Sequence, residues 1–316
     1  MHVLVTGGAG FIGSHLVDAL VAAGRRVRVL DDLSSGRVEQ LAPEAELIVG
    51  SITDGPLVRR AVAGVDVIFH LAAARGVLAS VEDPLLADAV NVHGTLTVLT
   101  AAAAAGVQRV VAASSSSVYG GADRRPTPEW APLAPRSPYG VSKLAGEHYG
   151  RVVAVLHDLS TVSLRYFNVY GPRQRPDALE AQVIPRFIEA LAVGRPPIVH
   201  GDGHQTRDFT YVADVVAANL AAAAAPPDAC RGQAYNVGAG QAHSLLDVLA
   251  VLAHLTGVSS SAVHEPVRAG DVRDTLADTT AAAATLGWSP TVDLATGLAS
   301  TLAWSATLAH PAVSST

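Results

Sequence analysis

The chain has 316 residues, 49% of them hydrophobic, and a formal net charge of -6 at pH 7; the apolar content allows a large buried core, whereas the acidic balance argues against a general binder of nucleic acid or anionic membranes. The single cysteine, Cys230, excludes an intrachain disulfide and a cysteine-based zinc site, and is typical of the reducing cytoplasm. Strand-like residues begin at His2 and no unbroken run of ~18 apolar residues follows, so we expect neither a signal peptide nor a membrane span.

The first predicted element is a strand, His2–Val5, which leads into a glycine-rich turn and an amphipathic helix ending near Gly24. In the turn, Gly7, Gly10 and Gly13 are spaced as GxxGxxG. Glycines at this spacing let the backbone approach a pyrophosphate, present N–H groups at a helix N-terminus, and allow the helix to pack closely on the strand. The order of strand, glycine turn and helix therefore predicts a dinucleotide-binding site.

A second strand, Val27–Leu30, is predicted to end at Asp31, which lies 24 residues after Gly7. An aspartate at this place accepts hydrogen bonds from the ribose 2′- and 3′-hydroxyls and repels a 2′-phosphate, so we predict NAD rather than NADP. Arg37 leaves NADP open as an alternative. The structural alternative for Asp31 is a helix cap or a turn residue.

Strands and helices continue to alternate, which predicts a parallel sheet covered by helices on both faces, an α/β fold of the Rossmann-type doubly wound class. We place further strands at Leu47–Val49, Val65–Phe69 and Arg109–Ala113, with a helix at Pro84–Ala105. His70, directly after one strand, is interpreted as a satisfied core histidine rather than a catalytic one. Ligands bind at the carboxyl ends of such strands, which here are Gly7–Gly13, Asp31, Ser51–Ile52, His70–Ala74 and Ser114–Tyr119.

Lys143 is the only lysine of the chain, and it follows Tyr139 by four residues. Residues four apart share one face of a helix, which places the ammonium beside the phenol. An ammonium within ~4–6 Å can lower the pKa of a tyrosine by one or more units, which brings it into the range of a general base. The structural alternative is an exposed helical tyrosine with a solvated lysine.

These motifs, together with Ser114-Ser115-Ser116-Ser117-Val118-Tyr119, make the chain resemble the extended short-chain dehydrogenase/reductases, specifically the sugar-nucleotide epimerases and dehydratases. The resemblance covers nearly the whole length. It includes three further motifs in the same order, namely Leu164-Arg165-Tyr166-Phe167-Asn168-Val169-Tyr170-Gly171-Pro172, Gly201-Asp202-Gly203-His204-Gln205-Thr206-Arg207-Asp208-Phe209 and Arg268-Ala269-Gly270-Asp271.

The resemblance implies a catalytic set of Ser115, Tyr139 and Lys143 around the nicotinamide. In the family, a Ser or Thr four residues before the tyrosine of the serine motif binds the sugar 4-hydroxyl. This position maps onto Ser115, with Ser116 as the second choice. The cofactor implied is NAD, without a metal, and the cofactor-binding residues are Gly7, Gly10, Phe11, Ile12, Gly13, Asp31, Ser51, Ile52, Leu71, Ala72, Ala73, Ser114, Tyr139, Lys143 and Tyr166.

The resemblance also assigns residues 1–167 to an NAD-binding Rossmann domain and residues 168–316 mainly to a smaller α/β lobe that binds the nucleotide sugar. The chain is expected to cross back to the first lobe near residues 205–240. Arg207 and Arg268 are implied to clamp the diphosphate as planar forks, and His200 takes the position where an aromatic usually stacks on the base. The other implied substrate contacts are Ser115, Ser116, Ser117, Tyr139, Asn168, Arg175, Val183 and Asp271.

One departure from the family falls at Ser51-Ile52-Thr53-Asp54, where an acidic residue often comes first and binds adenine. The serine weakens the expectation of an adenine contact at position 51. It does not affect the catalytic set.

The residues after Ser115 distinguish reactions that share one first step, oxidation of the 4-hydroxyl by proton loss to Tyr139 and hydride transfer to NAD. Dehydratases of this family carry an Asp-Glu pair there and related decarboxylases a Glu, whereas this chain has Ser116 and Ser117. We therefore expect 4-epimerisation, in which the 4-keto sugar rotates and takes the hydride back on its other face. The alternatives are a dehydratase or decarboxylase and a non-catalytic NAD-binding protein, and the retained Tyr139 and Lys143 argue against the last.

The loop Gly171-Pro172-Arg173-Gln174-Arg175-Pro176-Asp177 resembles that of UDP-glucuronate 4-epimerases. Arg175 is interpreted as the partner of a C6 carboxylate, so we predict conversion of UDP-glucuronate to UDP-galacturonate. UDP-glucose or UDP-N-acetylglucosamine is the alternative substrate, and a solvated loop residue or phosphate ligand the alternative role for Arg175. The resemblance further implies a homodimer through a four-helix interface, for which the helices Pro84–Ala105 and Tyr139–His157 are candidates.

Overall fold

The computed structural model describes residues 1–176, 182–258, 261–267 and 272–309. Arg268 and Asp271 lie outside the described residues. The strands are β1 (His2–Thr6), β2 (Arg26–Asp31), β3 (Glu46–Val49), β4 (Val67–His70), β5 (Arg109–Ser115), β6 (Ser160–Tyr166), β7 (Asn168–Tyr170), β8 (Ile198–His200), β9 (Thr206–Tyr211), β10 (Arg231–Val237), β11 (Ala242–Ser244) and β12 (Val263–Glu265). The helices are α1 (Phe11–Ala22), α2 (Gly55–Val62), α3 (Val77–Glu82), α4 (Pro84–Asp88), α5 (Thr95–Ala104), α6 (Pro138–His157), α7 (Val183–Ala192), α8 (Val212–Ala224), α9 (Leu245–Thr256), α10 (Thr280–Leu286) and α11 (Leu294–Ala309).

Seven parallel strands form the main sheet in the order β10-β6-β5-β4-β1-β2-β3. The strand order reverses at β1, which pairs with β4 on one side and β2 on the other. A crevice opens at such a switch point outside the carboxyl ends of the strands, and ligands bind there. The predicted doubly wound Rossmann-type fold is confirmed.

Alternate residues of the parallel strands feed two apolar layers, because side chains of a strand point to opposite faces. Val3 and Val5 of β1 pack toward α1 and α8, whereas Leu4 packs toward α2 and α5. Both faces of the sheet are therefore covered, as the alternation of strands and helices predicted. Fully buried leucines such as Leu4 and Leu16 contribute ~1.5–3 kcal/mol each.

The helix predicted at Pro84–Ala105 has three parts: α4, a single π-helical stretch over Ala89–Gly94, and α5. The π stretch contains the buried Asn91, whose side chain bonds both backbone groups of Ala74 at 2.8 Å. The segment Pro84–Ala104 is long and apolar enough, by length and composition alone, to cross a membrane, and 44% of its apolar window is buried. It packs on α2 and α6, as a core helix does.

The rest of the described chain builds a smaller layer around the sheet β11-β9-β7 and the strand pair β12-β8. Its core contains Phe187 and Ile188 of α7, Leu252 of α9 and Leu298 of α11. Between these elements the chain contributes α8 and β10 to the large sheet layer, since α8 packs on α1 and β10 pairs with β6. Asn168 and its neighbours in β7 directly follow β6, so the two sheets meet where β6 ends.

Candidate active site

A cavity of about 970 Å³ opens at the carboxyl ends of the parallel strands and extends to α7 and β8. Most of the residues predicted to bind a dinucleotide or a nucleotide sugar line it. These are Gly7, Gly10, Phe11, Ile12, Gly13, Asp31, Ile52, Leu71, Ala72, Ala73, Ser114, Ser115, Ser116, Ser117, Tyr139, Lys143, Tyr166, Asn168, Arg175, Val183, His200 and Arg207.

The glycine turn is packed so tightly that no side chain fits at two of its positions. A Cβ on Gly13 would lie 2.1 Å from the Gly7 carbonyl oxygen, and a Cβ on Gly7 would lie 2.6 Å from the Ala72 nitrogen. Gly7 also has φ +71°, a left-handed conformation that favours glycine. The bare backbone at the start of α1 therefore fits a dinucleotide pyrophosphate.

Asp31 closes the same end of the cavity. Its Oδ2 accepts a hydrogen bond from Ala9 N at 2.9 Å and its Oδ1 one from Leu33 N at 2.8 Å. Burial raises the pKa of this carboxyl, and the two backbone donors act against that rise. Each carboxylate oxygen keeps a second lone pair, so Asp31 can still accept from ribose hydroxyls.

Tyr139 and Lys143 lie in the first turns of α6, which begins after Ser137, whose side chain accepts from Gly140 N at 3.1 Å. The Nζ of Lys143 lies 5.8 Å from the centroid of the Tyr139 ring and donates to Ala113 O at 3.0 Å. Burial lowers the pKa of Lys143 to about 8, and the Glu147 carboxylate acts in the opposite sense. The predicted juxtaposition of ammonium and phenol is present in the fold.

The serine motif ends β5, and its four serines line the same cavity as this pair. Ser115 Oγ accepts from Ser117 N at 3.1 Å and donates to Ser117 Oγ at 3.1 Å, which caps the single turn Ser116–Tyr119. Ser114 instead donates its hydroxyl to the buried Glu147. The cavity beside Tyr139 is thus lined by neutral hydroxyls from Ser115, Ser116 and Ser117.

The far end of the cavity carries the cationic and aromatic candidates. Arg207 is held by the carbonyls of Thr206 and Arg273 at 3.0 and 2.8 Å. His200 Nδ1 lies 3.3 Å from Pro266 O and 3.5 Å from a carboxylate oxygen of Glu265. Arg207 and His200 thus place a guanidinium and an aromatic ring at this end of the cavity.

Ser51 is the predicted cofactor residue that does not line the cavity, although Gly50 and Ile52 beside it do. Its hydroxyl bonds Thr53 Oγ1 at 2.9 Å and accepts from Thr53 N at 3.2 Å. The local turn with Thr53 engages the Ser51 side chain, and the expected contact of Ser51 with the cofactor stays a prediction.

His70 is the satisfied core histidine that its position predicted. Its Nδ1 bonds Thr6 Oγ1 at 2.7 Å and its Nε2 bonds Thr95 Oγ1 at 2.9 Å. Burial lowers the pKa of His70 to about 3, with Lys143 adding to the effect. The neutral ring has a hydrogen bond at each nitrogen and so links β1, β4 and α5.

Four residues that the motifs did not single out also belong to the site. Arg75, Arg186 and Arg195 line the cavity, and Asn91 reaches its wall through Ala74 and Ser142 Oγ, the latter at 3.0 Å. Ser142 Oγ in turn donates to Tyr139 O at 2.8 Å, so Asn91 supports the start of α6. The sequence signal that could have identified Asn91 is a polar residue within a largely apolar helical segment.

The NAD dependent epimerase/dehydratase family matches residues 3–238 of the chain. Among similar proteins, the UDP-glucose 4-epimerase of Mycolicibacterium smegmatis is 44% identical over 306 residues, covering 95% of this chain and 96% of that protein. The structure of a Thermotoga maritima UDP-glucose 4-epimerase with UDP-glucose has a TM-score of 0.94 and 38% identity, covering 98% of this chain and 100% of that one. A Bacillus cereus UDP-glucuronic acid 4-epimerase with UDP-glucuronic acid and NAD has a TM-score of 0.90 and 33% identity, covering 98% and 100%.

Proposed function

The chain belongs to the NAD dependent epimerase/dehydratase family, and from that premise we propose that it interconverts UDP-glucuronate and UDP-galacturonate by inverting C4 of the sugar. Its family and relatives make it an NAD-dependent UDP-sugar 4-epimerase, an isomerase. The observation that carries the choice of sugar is the presence of Arg175 in the same cavity as Ser115, Ser116 and Ser117.

The residues of the chain supply the proton transfers. Tyr139 takes the proton of the sugar 4-hydroxyl as a general base, and the adjacent ammonium of Lys143 stabilises the resulting phenolate. Ser115 holds the 4-oxygen by a hydrogen bond. Bound NAD supplies reversible two-electron oxidation at C4, for which Gly7, Gly13 and Asp31 provide the binding surface.

The neutral hydroxyls beside Tyr139 support epimerisation over elimination or decarboxylation. Removal of water across C5 and C6 requires an acid and a base next to the sugar, and Ser116 and Ser117 supply neither charge. The 4-keto sugar therefore has one productive fate in this cavity, which is rotation and reduction on its other face. The two sugars have the same oxidation state, so their interconversion consumes no net oxidant.

Arg175 serves as the anchor of the C6 carboxylate. A charge-assisted contact of this kind is worth ~1.5–3 kcal/mol, or roughly 10- to 150-fold in affinity. The anchor also has a chemical purpose, because a 4-keto glucuronate is a β-keto acid that loses CO2 when its carboxylate turns perpendicular to the ketone. Arg175, with hydroxyls of the serine motif, holds the carboxylate away from that geometry while the ring turns over.

The test of this assignment compares kcat/KM for UDP-glucuronate and UDP-glucose in the wild type, Arg175→Ala and Arg175→Lys. We expect Arg175→Ala to lose roughly 10- to 150-fold on UDP-glucuronate and little on UDP-glucose, and to release UDP-pentose as a by-product. Arg175→Lys keeps the charge without the planar fork and should lie between the two. Equal losses on both sugars would show that Arg175 acts on the shared nucleotide.

UDP-glucose is the second candidate substrate. The 44% identical relative carries that name and covers nearly the whole chain, as does the Thermotoga maritima structure with UDP-glucose bound. A wild type that prefers UDP-glucose in the same comparison favours this candidate.

We also propose a homodimer in the cytoplasm, with residues 1–167 binding NAD and residues 168–316 mainly binding the UDP-sugar. Support for the dimer comes from apolar side chains that α4 and α6 expose. Leu85 is 81% exposed and Val155 71%, and Val152 and Leu156 of α6 are also exposed. A neighbouring copy of the chain would cover these residues in a four-helix contact.

A further inference from the structure

Glu147 is a buried carboxylate on the catalytic helix, one turn after Lys143 and two turns after Tyr139. It is 8% exposed, and its ion-pair partner Arg165 on β6 is 3% exposed. Arg165 Nε donates to Glu147 Oε1 at 2.9 Å and Arg165 Nη2 to Oε2 at 2.7 Å. A two-pronged pair of this kind fixes the carboxylate in one orientation.

The guanidinium of Arg165 is itself held in place from the other side. Its Nη1 donates to Tyr119 OH at 2.8 Å and to Glu129 O at 2.9 Å. Tyr119 OH in turn donates to Asn236 Oδ1 at 2.7 Å. Through Arg165, the carboxylate of Glu147 is therefore linked to β6, to β10 and to the loop before α6.

Two groups near Lys143 lie on its own helix, Tyr139 and Glu147, and a third is His70 on β4. Tyr166 on β6 interacts with Tyr139. Burial lowers the pKa of His70 to about 3 and raises the pKa of Tyr166, so both are neutral at physiological pH. Within the described residues, Glu147 is the group of this set that carries a fixed negative charge.

A second contact joins Glu147 to the cavity wall. Ser114 donates its hydroxyl to Glu147 Oε1, and Ser114 precedes Ser115 at the end of β5. Lys143 Nζ bonds the carbonyl of Ala113, the residue before Ser114. The strand end that carries Ser115 is thus fastened to α6 at two successive residues.

We propose that Glu147 is a positioning residue of the active site: its carboxylate, fixed by Arg165 one helical turn from Lys143, places a negative charge behind the ammonium and, through Ser114, fixes the strand end that carries Ser115. The role of Lys143 in turnover rests on the proposed function. The charge relationship between Glu147 and Lys143 does not, since it holds in the resting protein.

The test uses the fact that Lys143 is the only lysine of the chain. Protein labelled with 13C-lysine gives one Cε signal in the NMR spectrum, and its shift with pH reports the ionisation of Lys143 directly. In Glu147→Gln we expect the titration midpoint of Lys143 to fall by about 1 pH unit or more, a tenfold change in its acid dissociation constant. Glu129→Gln is the matched control, because Glu129 belongs to the same network at the far side of Arg165 and should leave the midpoint unchanged.

A midpoint that is the same in Glu147→Gln and wild type overturns the proposal. If that variant fails to fold because Arg165 loses its partner, the double variant Glu147→Gln with Arg165→Gln lets two amides bond each other and carries the same expectation. In Glu147→Gln, the alkaline decline of kcat should move to lower pH together with the NMR midpoint. A loss of fold alone would not produce such a shift. If the NMR midpoint of Lys143 moves but the alkaline side of the kcat profile does not, the charge relationship between Glu147 and Lys143 holds and the result counts against the proposed function.

Discussion

The ammonium of Lys143 lies 5.8 Å from the centre of the Tyr139 ring, one turn away on the same helix. Lys143 also donates to the carbonyl of Ala113 at the end of β5. The position of the charge is therefore set by the helix and by the sheet together. A cation held this firmly next to a phenol favours the phenolate, the form of tyrosine that accepts a proton.

Substitution of Tyr139 by phenylalanine should remove turnover and spare binding. The phenol acts in proton transfer, a contribution of ~10²–10⁴-fold, whereas the ring keeps its packing. We expect kcat to fall by that factor and the UDP-sugar Kd, measured by calorimetry, to stay within severalfold. Tyr149→Phe, a half-exposed tyrosine on the same helix, is the control. Turnover like that of wild type in Tyr139→Phe would remove the residue from the mechanism.

Turnover should decline as the pH rises through the pKa of Lys143. Burial lowers that pKa to about 8, so the ammonium is present below this value and lost above it. Since the charged form supports the phenolate, kcat should be highest below about pH 8 and fall on the alkaline side. The check is a pH profile of kcat at saturating UDP-sugar, with stability followed by circular dichroism. A flat profile from pH 7 to 10 contradicts the role of the charge.

A methyl group at position 13 should abolish NAD retention. The Cβ of Gly13→Ala would lie 2.1 Å from Gly7 O and 2.7 Å from Gly8 Cα, so the turn must open. Purified wild type should release NAD on denaturation, and Gly13→Ala should release almost none. Gly146→Ala is the matched control, because its Cβ meets Thr95 Cγ2 at an ordinary 3.6 Å within α6. Finding NADP in the wild type would refute the interpretation of Asp31.

The exposed apolar side chains of α6, Val152, Val155 and Leu156, predict a dimer interface. One charged substitution there should dissociate the dimer. Val155 is 71% exposed, and an aspartate there would place an unpaired charge inside the proposed contact. We expect light scattering to give a dimer for wild type and a monomer for Val155→Asp. Val193→Asp is the control, since Val193 is 58% exposed beyond the end of α7. An unchanged mass in both variants would show that these side chains of α6 do not form the dimer interface.

The first half of the fold was predictable from local patterns. Strand, glycine turn and helix over His2–Gly24, the acidic end of β2 and the four-residue spacing of Tyr139 and Lys143 depend on residues close in sequence. Periodicity of apolar residues then determines which faces are buried.

Contacts that depend on tertiary placement were not predictable in the same way. Arg186 on α7 and the loop residues Arg75 and Arg195 reach the cavity because of where these segments pack, and no local pattern separates them from surface arginines. The Ser51 side chain bonds Thr53, a local contact that the motif did not reveal. The pairing of β10 with β6 depends on a return of the chain across the sheet, which leaves little trace in local periodicity.

The direct test of the central claim is the configuration of C4 after incubation with UDP-glucuronate, without added cofactor, read by proton NMR. The account predicts that signals of UDP-galacturonate appear and grow to a fixed ratio with those of UDP-glucuronate, and that the same ratio is reached from either sugar. Unchanged UDP-glucuronate, or its conversion to a UDP-pentose or to an accumulating 4-keto product, would contradict it.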